Sequence, residues 1–320
     1  MSTPSGHPQS TDKTAAIVSF GEVLWDLLPT GPLLGGAPFN FAFRASTLGH
    51  RAVIASRLGR DDWGREAFAR ISALGMETGW IQWDDTAPTG TVSVRFDEKG
   101  NHDFTITADV AYDRIAASEE LLKLGARADC LCFGTLIRRS PTSRAALDML
   151  LEAFEGRLVL LDLNLRKDCW TDAEVISSIA SADVLKLNDQ ELLTVDRIFS
   201  LPGGTMAEKA LALVKTTNLR CTVVTLGEGG ACAVSGTGEI VYEPAYVVAP
   251  VDTIGSGDAF TAGFVHALLA DRPLSEACRL GNALGALVTG QRGGTESLSP
   301  EQIDFILSRG ERRPADPRFA

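Results

Sequence analysis

The sequence reads as an α/β fold with a mainly parallel central sheet, helices on both of its faces and a small β-sheet lid. Three observations carry that reading. Short apolar runs alternate with helix-periodic segments over most of the 320 residues. The runs are apolar throughout, as strands buried on both faces are. One stretch, PTGTVSVRFDEKGNHDFTI at 88–106, breaks the rhythm with two alternating runs around Glu98, Lys99, Gly100 and Asn101.

The elements follow in order. Residues 1–13 are polar and lack an apolar core segment, so they read as a disordered tail and not a secretory leader. AIVSF in the 15–20 region is a strand, FNFAFRASTLG at 39–49 a helix, AVIASRLG at 52–59 a strand and 63–74 a helix. In the 88–106 stretch Val92, Val94 and Phe96 point one way and Ser93 and Arg95 the other, the pattern of a β-hairpin with one apolar face. Set into an α/β chain, it suits a lid over a site, covering about 88–110. CLCFG (130–134), LVLLDLN (158–164), DVLKLN (183–188) and CTVVTLG (221–227) are further strands. Helices are expected at 258–270, 274–291 and 300–309. RGERRPADPRFA reads as a frayed tail, which leaves 14–310 as one domain and 311–320 outside it.

Composition narrows the function. A formal net charge of −11 argues against a general nucleic-acid binder, whose affinity comes from neutralising phosphates. No apolar run approaches the roughly 18 residues that span a bilayer, so no membrane partner is expected and a cytoplasmic location follows by default. The six cysteines include no CxxC pair, and the four histidines form no HxxxH or HExxH pattern, so zinc is not expected. Cys130 and Cys132 lie in a strand-like apolar run and read as buried thiols.

The chemistry concentrates in VDTIGSGDAFTAGF at 251–264. Gly255 and Gly257 permit backbone angles closed to other residues, so successive N–H groups can converge on one point. A helix follows, whose first turn carries unpaired N–H groups and the positive end of the dipole. Together these make an anion site suited to phosphate. Asp258 at that site has two readings. As a helix N-cap it would contribute about 1 kcal/mol. As a base it would take the proton of an attacking hydroxyl while the amides of Gly255, Ser256 and Gly257 hold a transferring phosphoryl group. The Walker pattern is absent, and GSGDAF matches only the first two glycines of GxGxxG, so a dinucleotide site is weakly supported.

DTIGSGD, Asp252 to Asp258, resembles the DTxGxGD motif of the ribokinase-like, PfkB-type carbohydrate kinases, and the similarity runs from about Ala15 to Leu307. The resemblance implies a sandwiched parallel sheet with a β lid, ATP and Mg2+ as cofactors, and a small sugar as substrate. GEVLWDLLP from Gly21 and GGAPFNFAFRASTLG from Gly35 match the family's sugar signature, which assigns Asp26, Gly35, Gly36 and Asn40 to sugar binding. LDLNLRKDCW (161–170) resembles a fructokinase segment, with Leu163 and Cys169 replacing the family's proline and leucine. Asp162, Asn164 and Arg166 are expected on one face of a strand end, and Arg166 is the expected substrate or phosphate contact. NDQE, Asn188 to Glu191, resembles NxxE, associated with magnesium through water, and Lys186 is placed near the phosphates. TLGEGG puts Thr225, Gly227 and Gly230 at the nucleotide, and Asn282 lines the adenine pocket. Asp252 and the carbonyls of Ile254 and Gly293 match a potassium site. Lids of several relatives dimerise, which extends to a homodimer here.

Among substrates, the GGAPFN start, the lid and the LNLR…W segment most resemble fructokinases. The rival is 2-keto-3-deoxygluconate kinase, whose lid carries a Tyr-Tyr-Arg cluster; the run here is HDFTI, with Phe104 and no adjacent arginine. Ribokinase and other sugar kinases of the family are further alternatives. A sugar- or nucleotide-binding protein without catalysis is the reading of a different class.

Overall fold

The computed structural model describes residues 14–96 and 102–318. The expected N-terminal tail at 1–13 and the hairpin tip at Glu98–Asn101 lie outside the described residues. Among the described residues thirteen strands are formed: β1 (Ala16–Phe20), β2 (Leu24–Leu28), β3 (Gly31–Gly35), β4 (Arg51–Gly59), β5 (Ile81–Asp84), β6 (Gly90–Phe96), β7 (His102–Ile106), β8 (Cys130–Gly134), β9 (Leu158–Asp162), β10 (Val184–Asn188), β11 (Cys221–Thr225), β12 (Ala231–Ser235) and β13 (Ile240–Glu243). The helices are α1 (Ala37–Thr47), α2 (Asp62–Ala73), α3 (Glu119–Ala126), α4 (Pro141–Ala153), α5 (Asp172–Ala180), α6 (Asp189–Phe199), α7 (Met206–Thr217), α8 (Ser256–Leu269), α9 (Leu274–Thr289) and α10 (Pro300–Arg309).

The central sheet has nine strands in the order β13-β12-β11-β10-β9-β8-β1-β4-β5. All its pairings are parallel except the two that add β12 and β13 at one edge. Alternation along each strand sorts side chains between two cores. Val18, Phe20, Leu131, Phe133, Val159, Leu161, Leu185 and Leu187 face Leu121 of α3, Leu147 of α4, Leu192 of α6 and Leu213 of α7. Ile17, Cys130, Cys132, Leu158, Leu160 and Val184 face Phe41 of α1, Phe264 of α8 and Leu284 of α9. The α/β class expected from the apolar runs is the one observed, and Cys130 and Cys132 are buried free thiols.

The period of two also places the polar residues. Asp162 continues the Leu158–Leu160 face and Lys186 the Val184 face, so both emerge at the carboxyl end of the sheet on the side of α8.

The lid is larger than the hairpin expected. It is a four-stranded sheet in the order β3-β2-β6-β7. The added strands come from GEVLWDLLP and the segment after it, a stretch read from sequence only as a sugar motif. β2 pairs antiparallel with β3 and parallel with β6, so Asp26 stands opposite Leu33 and Val92.

A second correction concerns the C-terminus. The run expected as a frayed tail is held over its described part: Val247 donates its N–H to the Glu311 carbonyl, and Arg313 to that of Ala245.

Candidate active site

α8 begins at the glycine loop. Gly255 is the residue that caps it, at φ 77°, and its side is closed: a Cβ there would stand 2.4 Å from Gly294 Cα. A left-handed backbone pressed against another backbone admits glycine alone. Asp258 lies within the first turn and makes no capping bond to that helix, which removes the N-cap reading. Its Oδ2 instead accepts a 2.8 Å hydrogen bond from Asn40 Nδ2 on α1. The expected trio of free amides is modified at one place. Ser256 donates both its N–H (3.3 Å) and its Oγ hydroxyl (2.8 Å) to the Thr253 carbonyl.

α1 is what brings the two ends of the chain together. Arg44 is 1% exposed and donates to the carbonyls of Gly294 (3.0 Å) and Glu296 (2.9 Å). That anchors the loop after α9 against Gly255. Asp252 ties the same loop, accepting from Ile254 N–H at Oδ1 (3.0 Å) and from Gly293 N–H at Oδ2 (3.1 Å). The three residues expected at a potassium site are thus adjacent, with the amides of Ile254 and Gly293 turned to the carboxylate.

Under the loop runs a buried network. Lys186 Nζ lies 3.0 Å from Asp162 Oδ1, and a Cβ on Gly257 would stand 3.3 Å from the same Nζ. Thr261 Oγ1 donates to Asp162 Oδ2 (2.9 Å) and lies 2.8 Å from the Gly257 carbonyl. Burial would lower the Lys186 pKa, but Asp162, Glu191 and Asp258 outweigh it and hold the ammonium above its usual range. Asp258 is pushed up to about 6, chiefly by burial and then by Asp162; Lys186, the Asn40 hydrogen bond and Arg166 pull the other way.

Of the residues expected to hold a sugar, Asp26 and Gly35 lie on the lid strands β2 and β3, and Gly36 and Asn40 begin α1. Asp26 Oδ2 comes to 2.7 Å of where a Gly35 Cβ would stand, so the carboxylate overlies the glycine pair. Burial raises Asp26 to about 6 against the pull of Arg166, and the Asp252 charge adds to the rise. Arg166 therefore acts electrostatically on Asp26 and Asp258 alike. The alternation expected for Asp162, Asn164 and Arg166 ends at Asp162, because Asn164 turns left-handed at φ 44°.

The NxxE motif is a capping box. Asn188 caps α6 by accepting from Glu191 N–H, and Glu191 Oε2 accepts from Asn188 N–H in return. Its other oxygen, Oε1, accepts from Leu165 N–H at 2.8 Å. Each Glu191 oxygen thus accepts one backbone N–H and keeps a lone pair, which fits the expected contact with magnesium through a water. Among the described residues no three His, Cys, Asp or Glu side chains are grouped as metal ligands are.

All six residues expected at a nucleotide do line one cavity of about 370 Å³: Lys186, Asn188, Thr225, Gly227, Gly230 and Asn282. Ser256 and Gly257 line it too, and Tyr246, Val248 and Ala286 give it apolar surface. Asn282 serves that surface by donating to the carbonyls of Glu243 (2.9 Å) and Pro244 (3.3 Å). A second cavity, about 420 Å³, lies between the end of β7 and Lys167–Cys169 and holds none of the expected residues.

A profile of pfkB family carbohydrate kinases matches residues 33–302. The chain belongs to that family. As a pfkB carbohydrate kinase it is 30% identical over 325 residues to fructokinase-2 of Solanum habrochaites, covering 92% of this chain and 96% of that one. Among solved structures it superposes on a double mutant of the fructokinase of Vibrio cholerae O395 in its fructose-, ADP- and potassium-bound form. The TM-score is 0.79 at 24% identity, over 93% of this chain and 100% of that one. The 2-dehydro-3-deoxygluconokinase of Thermotoga maritima superposes as well, with TM-score 0.80 and 20% identity over 92% and 99% of the chains. The fold therefore does not separate the two kinds of acceptor.

Sequence reasoning missed three residues of this kinase. Asp162 was placed on a strand end but given no role. Thr261 sits in the apolar body of α8, where a hydroxyl is easily read as tolerated. Glu22 is 3% exposed, with Oε2 unpartnered, and burial carries it up to about 7. A glutamate flanked by Gly21 and Val23 in an otherwise apolar strand boundary was the available signal.

Proposed function

We propose that this carbohydrate kinase transfers the γ-phosphoryl group of ATP to a hydroxyl of a small neutral sugar, with fructose the acceptor that fits best. The observation that carries the reading is the placement of Asp258. It shares one helical turn with Ser256 and Gly257 of the cavity wall and bonds Asn40 on the sugar side. The nucleotide occupies the 370 Å³ cavity with its phosphates toward Gly255 and Gly257. The sugar is held by Asp26, Asn40 and Arg166, carboxylate and amide groups being good partners for vicinal hydroxyls.

Asn40 fixes one oxygen of Asp258 and leaves the other for the acceptor hydroxyl. That O–H bond breaks toward Asp258 as the sugar oxygen bonds phosphorus, and ADP leaves. Lys186, charged and beneath Gly257, faces the negative charge that gathers on the phosphoryl oxygens. A neutral acceptor is favoured because the lid run HDFTI carries no arginine beside Phe104, so Arg166 has no neighbouring arginine on that run with which to share a sugar carboxylate.

The base must be ionised to work, so its raised pKa sets an acid limit. kcat/KM should fall by half near pH 6 as pH is lowered. A profile that stays flat to pH 4.5 would remove Asp258 as the base.

The acceptor is tested by ADP release from MgATP with fructose, ribose and 2-keto-3-deoxygluconate, with and without potassium. Turnover is expected with fructose. Turnover with the sugar acid alone would overturn the neutral-acceptor reading, and ATP binding without turnover on any of them would favour a binding protein.

A further inference from the structure

The described C-terminal residues 310–318 pack beside Ala245 and Tyr246, which line the nucleotide cavity. They pair antiparallel with the segment after β13, through Val247 N–H to Glu311 O (2.9 Å) and Arg313 N–H to Ala245 O (2.8 Å). Arg312 stacks 4.3 Å from the Tyr246 ring centroid and reaches Glu243 Oε2 at 2.6 Å. Farther on, Asp316 donates its N–H to the Tyr242 hydroxyl (2.7 Å), which donates to the Gly229 carbonyl (2.6 Å). Arg318 crosses to Asp189 at 3.0 Å, on the first turn of α6. The segment is thus fastened at three places, and one side chain between the fastenings, Arg313, lines the cavity itself.

Arg313 lines the cavity together with Ala245, whose carbonyl accepts its N–H, and with the apolar residues Tyr246, Val248 and Ala286. Its ion-pair partner is Glu228, at 2.7 Å, and that carboxylate is 75% exposed. A pair so open to water contributes little and is cheaply given up. A planar, weakly hydrated guanidinium beside an apolar wall is suited to lie on the face of an aromatic ring.

We propose that Arg313 is a nucleotide-contacting residue: it leaves Glu228 and stacks on the base of the bound nucleotide, and the C-terminal segment is the clasp that carries it. This rests on the nucleotide reading of the cavity given above. The clasp makes affinity depend on the base as well as on the phosphates.

The test is calorimetric titration of the full chain with ADP and, separately, with inorganic tripolyphosphate, which has no base. Arg313→Ala should weaken ADP binding about tenfold and leave tripolyphosphate binding unchanged. Arg313→Lys, which keeps the charge and loses the plane, should resemble the alanine variant for ADP. Unchanged ADP binding in Arg313→Ala, or a parallel loss for tripolyphosphate, overturns the stacking role. A wild-type chain that binds no ADP overturns the nucleotide reading of the cavity and the clasp with it. Equal melting temperatures of the three proteins keep a folding defect from imitating the effect.

Discussion

Replacing Asp258 with asparagine should lower turnover by roughly 10²–10⁴-fold while nucleotide binding persists. The same change should make the free protein more stable. Burial and the Asp162 charge raise the Asp258 pKa to about 6, so at neutral pH the folded state holds a carboxylate it would rather protonate. In the unfolded chain that group titrates near its ordinary value of about 3.8. Its contribution to stability is therefore full below pH 4 and is lost as pH rises through 6. The amide removes that loss and still accepts from Asn40. The expected gain at pH 7 is roughly 1–2 kcal/mol, read as a melting temperature higher by a few degrees and a gain that vanishes near pH 4. Turnover within threefold of wild type would end the assignment of the base; an unchanged melting temperature would mean the carboxylate is better solvated than its surroundings indicate.

The second large effect belongs to Lys186. Changing it to methionine leaves Asp162 and Glu191, 6% and 7% exposed, without their cation. Removing one partner of a buried pair costs about 3–5 kcal/mol, because the remaining charge keeps its desolvation penalty. Adding Asp162→Asn to Lys186→Met should recover most of the stability, since the amide oxygen still accepts from Thr261. It should not recover turnover, since the positive charge under Gly257 stays absent. Denaturant unfolding and turnover measured on the three proteins separate the two roles. Stability within 1 kcal/mol of wild type in the single variant would show that the pair carries no such load.

These effects mark how much of the site the sequence exposed. DTIGSGD declared itself because an exposed glycine loop before an apolar helix has few other uses, and of the residues expected at a nucleotide all but Asn282, in α9, lie in or just after a strand legible from its apolar run. Most of what escaped depended on partners far along the chain, with one local exception. Asn188 and Glu191 are three residues apart and form a capping box, a pattern readable locally, yet the metal motif competed for the same letters. Asp162, Lys186 and Thr261 acquire meaning only when β9, β10 and α8 meet, at separations of 24 and 99 residues. The added lid strands β2 and β3 are five residues each, too short for alternation to distinguish them from loop. The C-terminal segment is polar and proline-broken, and what holds it is a pairing with residues nearly seventy positions upstream.

The seam between α1 and the loop after α9 has a consequence for how the protein is made. From β8 to β13 the central sheet grows one strand at a time in the order of synthesis, each new strand docking on the last. α1 precedes the other helices described, but Arg44 finds the carbonyls of Gly294 and Glu296 only some 250 residues later. A nascent chain can therefore lay down its sheet progressively, while Asn40 meets Asp258 only after 218 further positions have been made. A chain released early would carry most of its scaffold, an arginine with nowhere to go, and no working centre.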